Sequence, residues 1–254
     1  MLCDCHTHLS DYTPQEVPHI LECAREADVT LIVSASTTLE TSRASVELAR
    51  NHRPVFAGVG LHPTELTGLV QEETYQALYE LARSEPKVVC VSETGLDFTP
   101  QSPPRELQYE AFRRQIRLAI DLGLPIVFHS REAHPEVLSV LREEGAERVG
   151  GVMHYFQADL ATAQEAIACG FLVSLAKPLL RLPALQQVAA KLPLDHLVLE
   201  TDAVPQPWKR HRRNWAEPWQ VKLVAEKLAE LKDLTLEEVA QVTTANARRI
   251  LKLK

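Results

Sequence analysis

The 254-residue sequence predicts the α/β class, a single domain over residues 1–254 folded as a closed (β/α)8 barrel of the TIM type, with a metal site at the C-terminal ends of the strands. Three observations carry that expectation. The length suits one large barrel, roughly 250 residues. Eight short, almost continuously apolar runs each precede a helical pattern, as in a parallel sheet covered on its outside. Histidines and carboxylates collect where those runs end. The rival architecture, a doubly wound open sheet, would place a glycine-rich phosphate loop after the first strand, and this strand ends instead in His6-Thr7-His8.

Taken in order, residues 2–8 read as a short apolar strand, and residues 14–27 as a helix with Val17, Ile20, Leu21 and Ala24 near helical spacing. A buried strand over 29–34 is followed by a helix over 38–51. Arg53-Pro54 then introduces the strand 55–60, which runs into Leu61-His62-Pro63. The pattern repeats with a helix at 72–83, a strand at 86–93, a longer helix at 104–122 and a strand at 125–129. In the second half, helices at 134–144, 160–169 and 182–191 alternate with strands at 151–154, 171–174 and 196–202. A polar loop over 203–216 leads to a helical C-terminus from Trp219 onward, broken near Leu234-Thr235.

With 45% hydrophobic and 24% charged residues, the composition excludes fibrous and disordered classes. No apolar run is long enough to span a bilayer, and the N-terminus enters a strand without a basic and apolar leader, so a cytoplasmic protein without membrane contact is expected. Five cysteines, an odd number without a C-x-x-C pair, are expected to be reduced and packed. Cys3 and Cys5 have the opposite parity to His6 and His8, which predicts that they face the surrounding helices. A net charge of −7 repels nucleic acid globally, so any polyanion must be captured by a local field. A monomer without an obligate protein partner is expected.

Residues two apart on a strand point the same way, so His6 and His8 can hold one ion from one side. His62, Glu93, His129, His154 and Asp202 stand at the ends of later strands, where a barrel gathers its chemistry. His19, His52, His134 and His211 fall on helices or loops and are expected at the solvated surface. So many ligands are too many for one catalytic ion with open positions, but suit two divalent cations bridged by one carboxylate.

These blocks resemble the TatD family of metal-dependent hydrolases from end to end: Asp4-Cys5-His6-Thr7-His8, Gly60-Leu61-His62-Pro63, Glu93-Thr94-Gly95-Leu96-Asp97, His129-Ser130-Arg131-Glu132-Ala133, His154-Tyr155-Phe156, Glu200-Thr201-Asp202 and Thr243-Thr244-Ala245-Asn246-Ala247-Arg248-Arg249. The resemblance implies a TIM barrel, a two-metal centre and hydrolysis, usually described as deoxyribonuclease activity. By position, His6, His8, Glu93 and Asp202 would hold one ion, and Glu93, His129 and His154 the other. The departures cluster near the expected substrate, while the ligands are kept. His154-Tyr155-Phe156-Gln157-Ala158 stands where a Cys, then Ser-Gly, is common. Asp202-Ala203-Val204 replaces an Asp followed by Ser or Ala and Pro. The segment 209–218 replaces a compact Arg-Asn-Glu-Pro.

The expected reaction is hydrolysis of a phosphodiester in single-stranded nucleic acid by an attacking hydroxide, with Asp202 as general base and Glu93 holding two divalent cations, Mg, Mn or Zn. His62 is assigned to substrate contact. Asp4, Asp97 and Glu200 are expected to orient the histidine ligands. Arg210, Arg212 and Arg213, flanked by Trp208 and Trp215, are expected to clamp phosphates and stack a base. The alternatives are hydrolysis of a small ester, amide or lactone, and a non-catalytic binding or scaffold subunit with a vestigial site.

Overall fold

The computed structural model describes residues 1–253, with Arg213 described by its backbone alone. The strands β1 (Leu2–Thr7), β2 (Val29–Ser34), β3 (Val55–Val59), β4 (Val88–Asp97), β5 (Ile126–Arg131), β6 (Gly151–Met153), β7 (Phe171–Leu175) and β8 (Leu197–Leu199) pair in parallel, each with its neighbour in sequence. Helices α1 (Val17–Glu26), α2 (Leu39–Asn51), α3 (Glu72–Ser84), α4 (Arg105–Leu122), α5 (His134–Glu143), α6 (Leu160–Ala168) and α7 (Pro183–Lys191) fill the crossovers, and α8 (Val221–Lys232) and α9 (Leu236–Ile250) follow β8. This is the nearly closed barrel that the alternation predicts. None of its helices among the described residues is long and apolar enough to cross a membrane.

Local signals set the helix ends. Thr38 and Thr41 form a reciprocal capping box at the start of α2, and Thr235 and Glu238 do the same for α9, satisfying amides that the first turn leaves without partners. Gly123, at φ 65°, ends α4 in the left-handed conformation that glycine adopts without strain. Ala111, Phe112, Ile116 and Ala119 of α4 recur at helical spacing and are buried against the sheet; each large apolar side chain so buried contributes about 1.5–3 kcal/mol.

Two apolar layers result. Outward strand residues such as Ile32, Ile126, Phe128 and Phe171 pack against the helices. Inside the ring, Cys3, Cys5, Leu31, Val33, Val127, Val152, Leu172 and Val198 form a second cluster with Ala247, Leu251 and Leu253 at the C-terminal end of the chain. The two cysteines therefore face inward, not toward the helices as alternation predicts. The pairing of β1 with β2 shifts register between Asp4 and Thr7, and this irregularity lets the cysteines and the two histidines turn to the same side.

The ring closes through β1 and the segment following β8. Asp4, fully buried, accepts hydrogen bonds from the Thr201 amide at 3.0 Å and the Thr201 hydroxyl at 2.6 Å. Beside it the Asp202 amide donates to the His6 carbonyl at 3.0 Å, and the His8 amide donates to the Ala203 carbonyl at 2.7 Å. Removing the carboxyl in Asp4→Ala leaves two buried donors of Thr201 unsatisfied. It is expected to lower unfolding free energy by about 2–4 kcal/mol, and Asp4→Asn by less because the amide oxygen can still accept. Urea denaturation followed by circular dichroism checks this; equal midpoints for Asp4→Ala and the wild type would contradict it.

Candidate metal centre

The strand ends bring His8, His62, Glu93, His129, His154 and Asp202 to the wall of one cavity of about 760 Å³, with His6 buried beneath them. β4 contributes more than its sequence pattern indicates. It continues through Glu93 to Asp97, so Glu93 sits within the strand. The Glu93 amide donates at 2.6 Å to the Ser36 carbonyl, just past the end of β2, and the Ser36 amide donates to the Ser92 carbonyl at 3.2 Å. That crossing needs bare backbone just past β3, since a Cβ on Gly60 would lie 2.8 Å from the Ser92 carbonyl carbon. Gly95 plays the same part against β5. At φ 140° it lies so close to His129 that a Cβ would fall 2.0 Å from the His129 carbonyl oxygen.

Glu93 turns its two oxygens to two groups of imidazoles. Its Oε2 lies 3.3 Å from His6 Nε2 and 3.4 Å from His8 Nε2. Its Oε1 lies 3.0 Å from His154 Nε2, 3.1 Å from His129 Nδ1 and 3.3 Å from His62 Nε2. Asp202 joins the first group, with Oδ1 3.3 Å from His8 Nε2 and 4.0 Å from His6 Nε2. His62, expected to touch substrate, is thus within ligand reach alongside Glu93 and His129. Its Nδ1 pairs with the Thr64 hydroxyl at 2.7 Å, which aims Nε2 into the site.

Carboxylates behind the imidazoles hold two of them. Asp97 Oδ2 lies 3.0 Å from His129 Nε2, while its Oδ1 accepts from the hydroxyls of Thr99 and Ser102, each at 2.6 Å. Glu200 Oε1 lies 3.1 Å from His154 Nδ1 and accepts from the Tyr155 amide at 2.7 Å; its Oε2 accepts from the Ser174 hydroxyl at 2.6 Å. Asp4 departs from the role expected of it, since its carboxylate grips Thr201 rather than an imidazole and acts on the ligands through the barrel seam. His134 departs too: instead of lying at the solvated surface it lines the cavity half-buried, with Nδ1 2.7 Å from the Ser130 hydroxyl. Its place at the start of α5, directly after β5, is the signal that could have found it.

The crowding sets the charge. Burial pushes the Glu93 carboxyl up, but the imidazoles of His154, His62 and His6 outweigh that and hold it well below its ordinary value. Asp202, also disfavoured as an anion by burial, is held at about 2 by the His8 hydrogen bond and the charges of His154 and His8. Burial disfavours the charged form of His8, yet its bonds to Asp202 and Glu93 raise it to about 10. His154 is raised likewise, against burial, by Glu93 and Glu200. His6 goes the other way, lowered by burial and by His154, whose ring stacks on it at 3.9 Å. His6 Nε2 is fully buried without a hydrogen-bond partner. A neutral imidazole with a free lone pair facing two carboxylates is the donor set that a divalent cation takes up.

The basic loop divides. Arg212 is drawn inward: its guanidinium lies 2.6 Å from Glu217 and 3.6 Å from Glu16, over the rings of Trp215 at 4.2 Å and Tyr12 at 5.4 Å. That engagement makes it an anchor of the loop and takes Trp215 with it, so neither matches the expected clamp and stacking face. Arg210 and Trp208 are exposed, outside the cavity wall, and the Arg213 side chain lies outside the described residues.

A (β/α)8 barrel whose strand ends converge histidines and carboxylates on one cavity, with a donor set suited to divalent cations, has the build of a metal-dependent hydrolase. The family profile described as TatD related DNase matches residues 3–252, and the chain belongs to that family. It is 36% identical over 259 residues to an uncharacterized metal-dependent hydrolase of Bacillus subtilis, YabD, covering 100% of both chains. It is 31% identical to the human deoxyribonuclease TATDN3, over 98% of this chain and 94% of that one. The crystal structure of YJJV, a TatD homologue from Escherichia coli, superposes with a TM-score of 0.90 at 29% identity, covering 100% of this chain and 98% of that one.

Below their raised proton affinities His8 and His154 carry protons that an entering cation must displace. Cation affinity is therefore expected to rise with pH through the neutral range, with proton release on binding. Calorimetric titration of the metal-free chain in buffers of different ionisation enthalpy reads both, and a pH-independent affinity would count against the assignment.

Proposed function

We propose that the chain is a phosphodiesterase of single-stranded nucleic acid, a deoxyribonuclease, working with two divalent cations. The observation that carries this reading is the division of Glu93, one oxygen toward His6 and His8 and the other toward His62, His129 and His154. His6, His8, Asp202 and Glu93 would hold one cation; Glu93, His129, His154 and His62 the other. Bound there, divalent cations supply positive charge against a phosphodiester's oxygens and make a water acidic enough to attack. A lactone or ester carbonyl gains one anionic oxygen during attack, whereas a phosphodiester is anionic throughout, so a paired cation site answers the second need more closely.

The chain's own residues supply position. Asp97 and Glu200 fix the ring orientations of His129 and His154. Arg210, exposed on the loop after β8, remains available for substrate phosphate, and Arg212 supports it by tethering the loop. The deoxyribonuclease name of the human relative points the same way.

Glu93→Ala is expected to lower bound divalent cation, measured by elemental mass spectrometry, and to abolish cleavage of a single-stranded oligonucleotide. Asp202→Asn is expected to slow kcat by about 10²–10⁴-fold. Turnover of simple esters or lactones by a fully loaded wild type that leaves oligonucleotides intact would overturn the nuclease reading.

A further inference from the structure

The cations that the sequence nominated for phosphate binding lie on the loop after β8, and a second basic group stands on the turn after β7. β7 ends at Leu175, and the next turn, Lys177–Leu180, carries Lys177 at one end and is followed by Arg181 at the other. The Lys177 ammonium donates to the neutral Gln220 Oε1 at 2.9 Å, and the same oxygen accepts from the Glu217 amide at 3.2 Å. The neighbouring Ala216 amide donates to Gln206 Oε1 at 2.9 Å, and that oxygen also accepts from the Lys209 ammonium at 2.7 Å. Consecutive amides thus bind two glutamines that carry two lysines, bringing the loops after β7 and β8 together with their positive charges side by side.

Among the described residues no carboxylate closes this group. Glu217, the acid within its field, is engaged by the Arg212 guanidinium and by the Trp219 indole at 3.1 Å. Lys177 is half-buried and held below its ordinary proton affinity, first by burial and then by the positive charges of Lys209 and Arg181. Tyr155 stands on the cavity wall directly after His154. Its amide is fixed by Glu200, its backbone sits at φ 48°, and its phenol lies in the field of Arg181. Such a cluster on a chain of net charge −7 is a local anion sink on a repelling body.

We propose that Lys177 and Arg181, flanked by Lys209, form a phosphate track for the part of a single-stranded polynucleotide lying outside the cation site, with Tyr155 as the aromatic step between the two. The assignment rests on the nuclease reading and extends it, because it requires a substrate of several nucleotides rather than a mononucleotide ester. The strand's backbone leaves the cavity on the β7 side, one phosphate against Arg181 and the next against Lys177, and a base can lie on the Tyr155 ring, as bases do on aromatic platforms of single-strand sites.

The test is equilibrium binding of a fluorescent phosphorothioate oligothymidylate of roughly 12 nucleotides, which resists cleavage, to the cation-loaded full chain over about 50–300 mM salt. Lys177→Gln with Arg181→Gln is expected to weaken binding on the order of tenfold and to flatten the slope of log Kd against log salt by about 1.4, two phosphates at about 0.7 each. Lys177→Arg with Arg181→Lys keeps both charges and is expected to stay near wild type, which separates the effect from a folding defect. Unchanged affinity and slope in the glutamine variant would overturn the track, as would a wild type that binds no oligonucleotide. Binding that depends on these two charges, with no cleavage of the unmodified oligonucleotide, would support the track and sink the hydrolysis reading alone.

Discussion

The seam between β1 and the chain leaving β8 is the constraint on which the rest of the molecule depends. A barrel of parallel strands has no edge only if its last strand meets its first, and β8, three residues long, offers little ladder of its own. The closure is made by Asp4 gripping Thr201 and by two amide–carbonyl bonds that join His6 to Asp202 and His8 to Ala203. The residues that close the ring and the residues that offer ligand atoms are the same or adjacent. Asp202, at φ 53°, is held in the left-handed region by this arrangement, so the fold's closure and the aim of its carboxylate are one event.

The site, once closed, is an electrostatic problem that the protein solves only in part. One buried and one half-buried carboxylate face a ring of imidazoles, and in the metal-free chain protons on His8 and His154 balance the anions. Protons neutralise charge but leave His6 Nε2 without a partner, and a buried polar atom so left costs on the order of 1–3 kcal/mol. A divalent cation held there would replace protons and would engage that atom too. The arrangement is thus set for metal by its unsatisfied groups as well as by its donor types, and the glycines that let β4 cross β3 and press on β5 belong to the same design, since any side chain at Gly60 or Gly95 would displace Glu93 or His129.

Much of this was legible in the sequence, and where it was not the reasons are physical. Strand–helix alternation and polar residues at strand exits are local signals, so the barrel and the convergence of His6, His8, Glu93, His129, His154 and Asp202 could be read directly. Parity along β1 could not, because the register shift between Asp4 and Thr7 depends on β2. The continuation of β4 past Glu93 depends on its pairing with β5, where Thr94 through Asp97 align with Phe128 through Arg131. Arg212 and His134 were misplaced for a shared reason. The surroundings of a loop or helix-start side chain are set by elements distant in the chain, Glu16 and Tyr12 for the one and the cavity wall for the other.

The division between what is ligand and what is rim explains how a chain can keep its metal chemistry while its surroundings diverge. His6, Glu93 and His129 are carried by ladder-bonded strands, and two imidazoles are backed by carboxylates anchored on the same strands or directly after them, so their positions follow from the sheet. Tyr155, Lys177, Arg181 and Lys209 stand on connections whose backbone bonds largely stay within their own turns, and replacing them disturbs no ladder. Recognition on this scaffold can therefore change at the rim at little cost to the fold, whereas His6, Glu93 and His129 are tied to the sheet itself. An acidic body with a small basic margin gains one further property from that separation. On the nuclease reading, a basic margin beside the cavity of a chain of net charge −7 would both attract a polyanion there and orient it toward the carboxylates and imidazoles below.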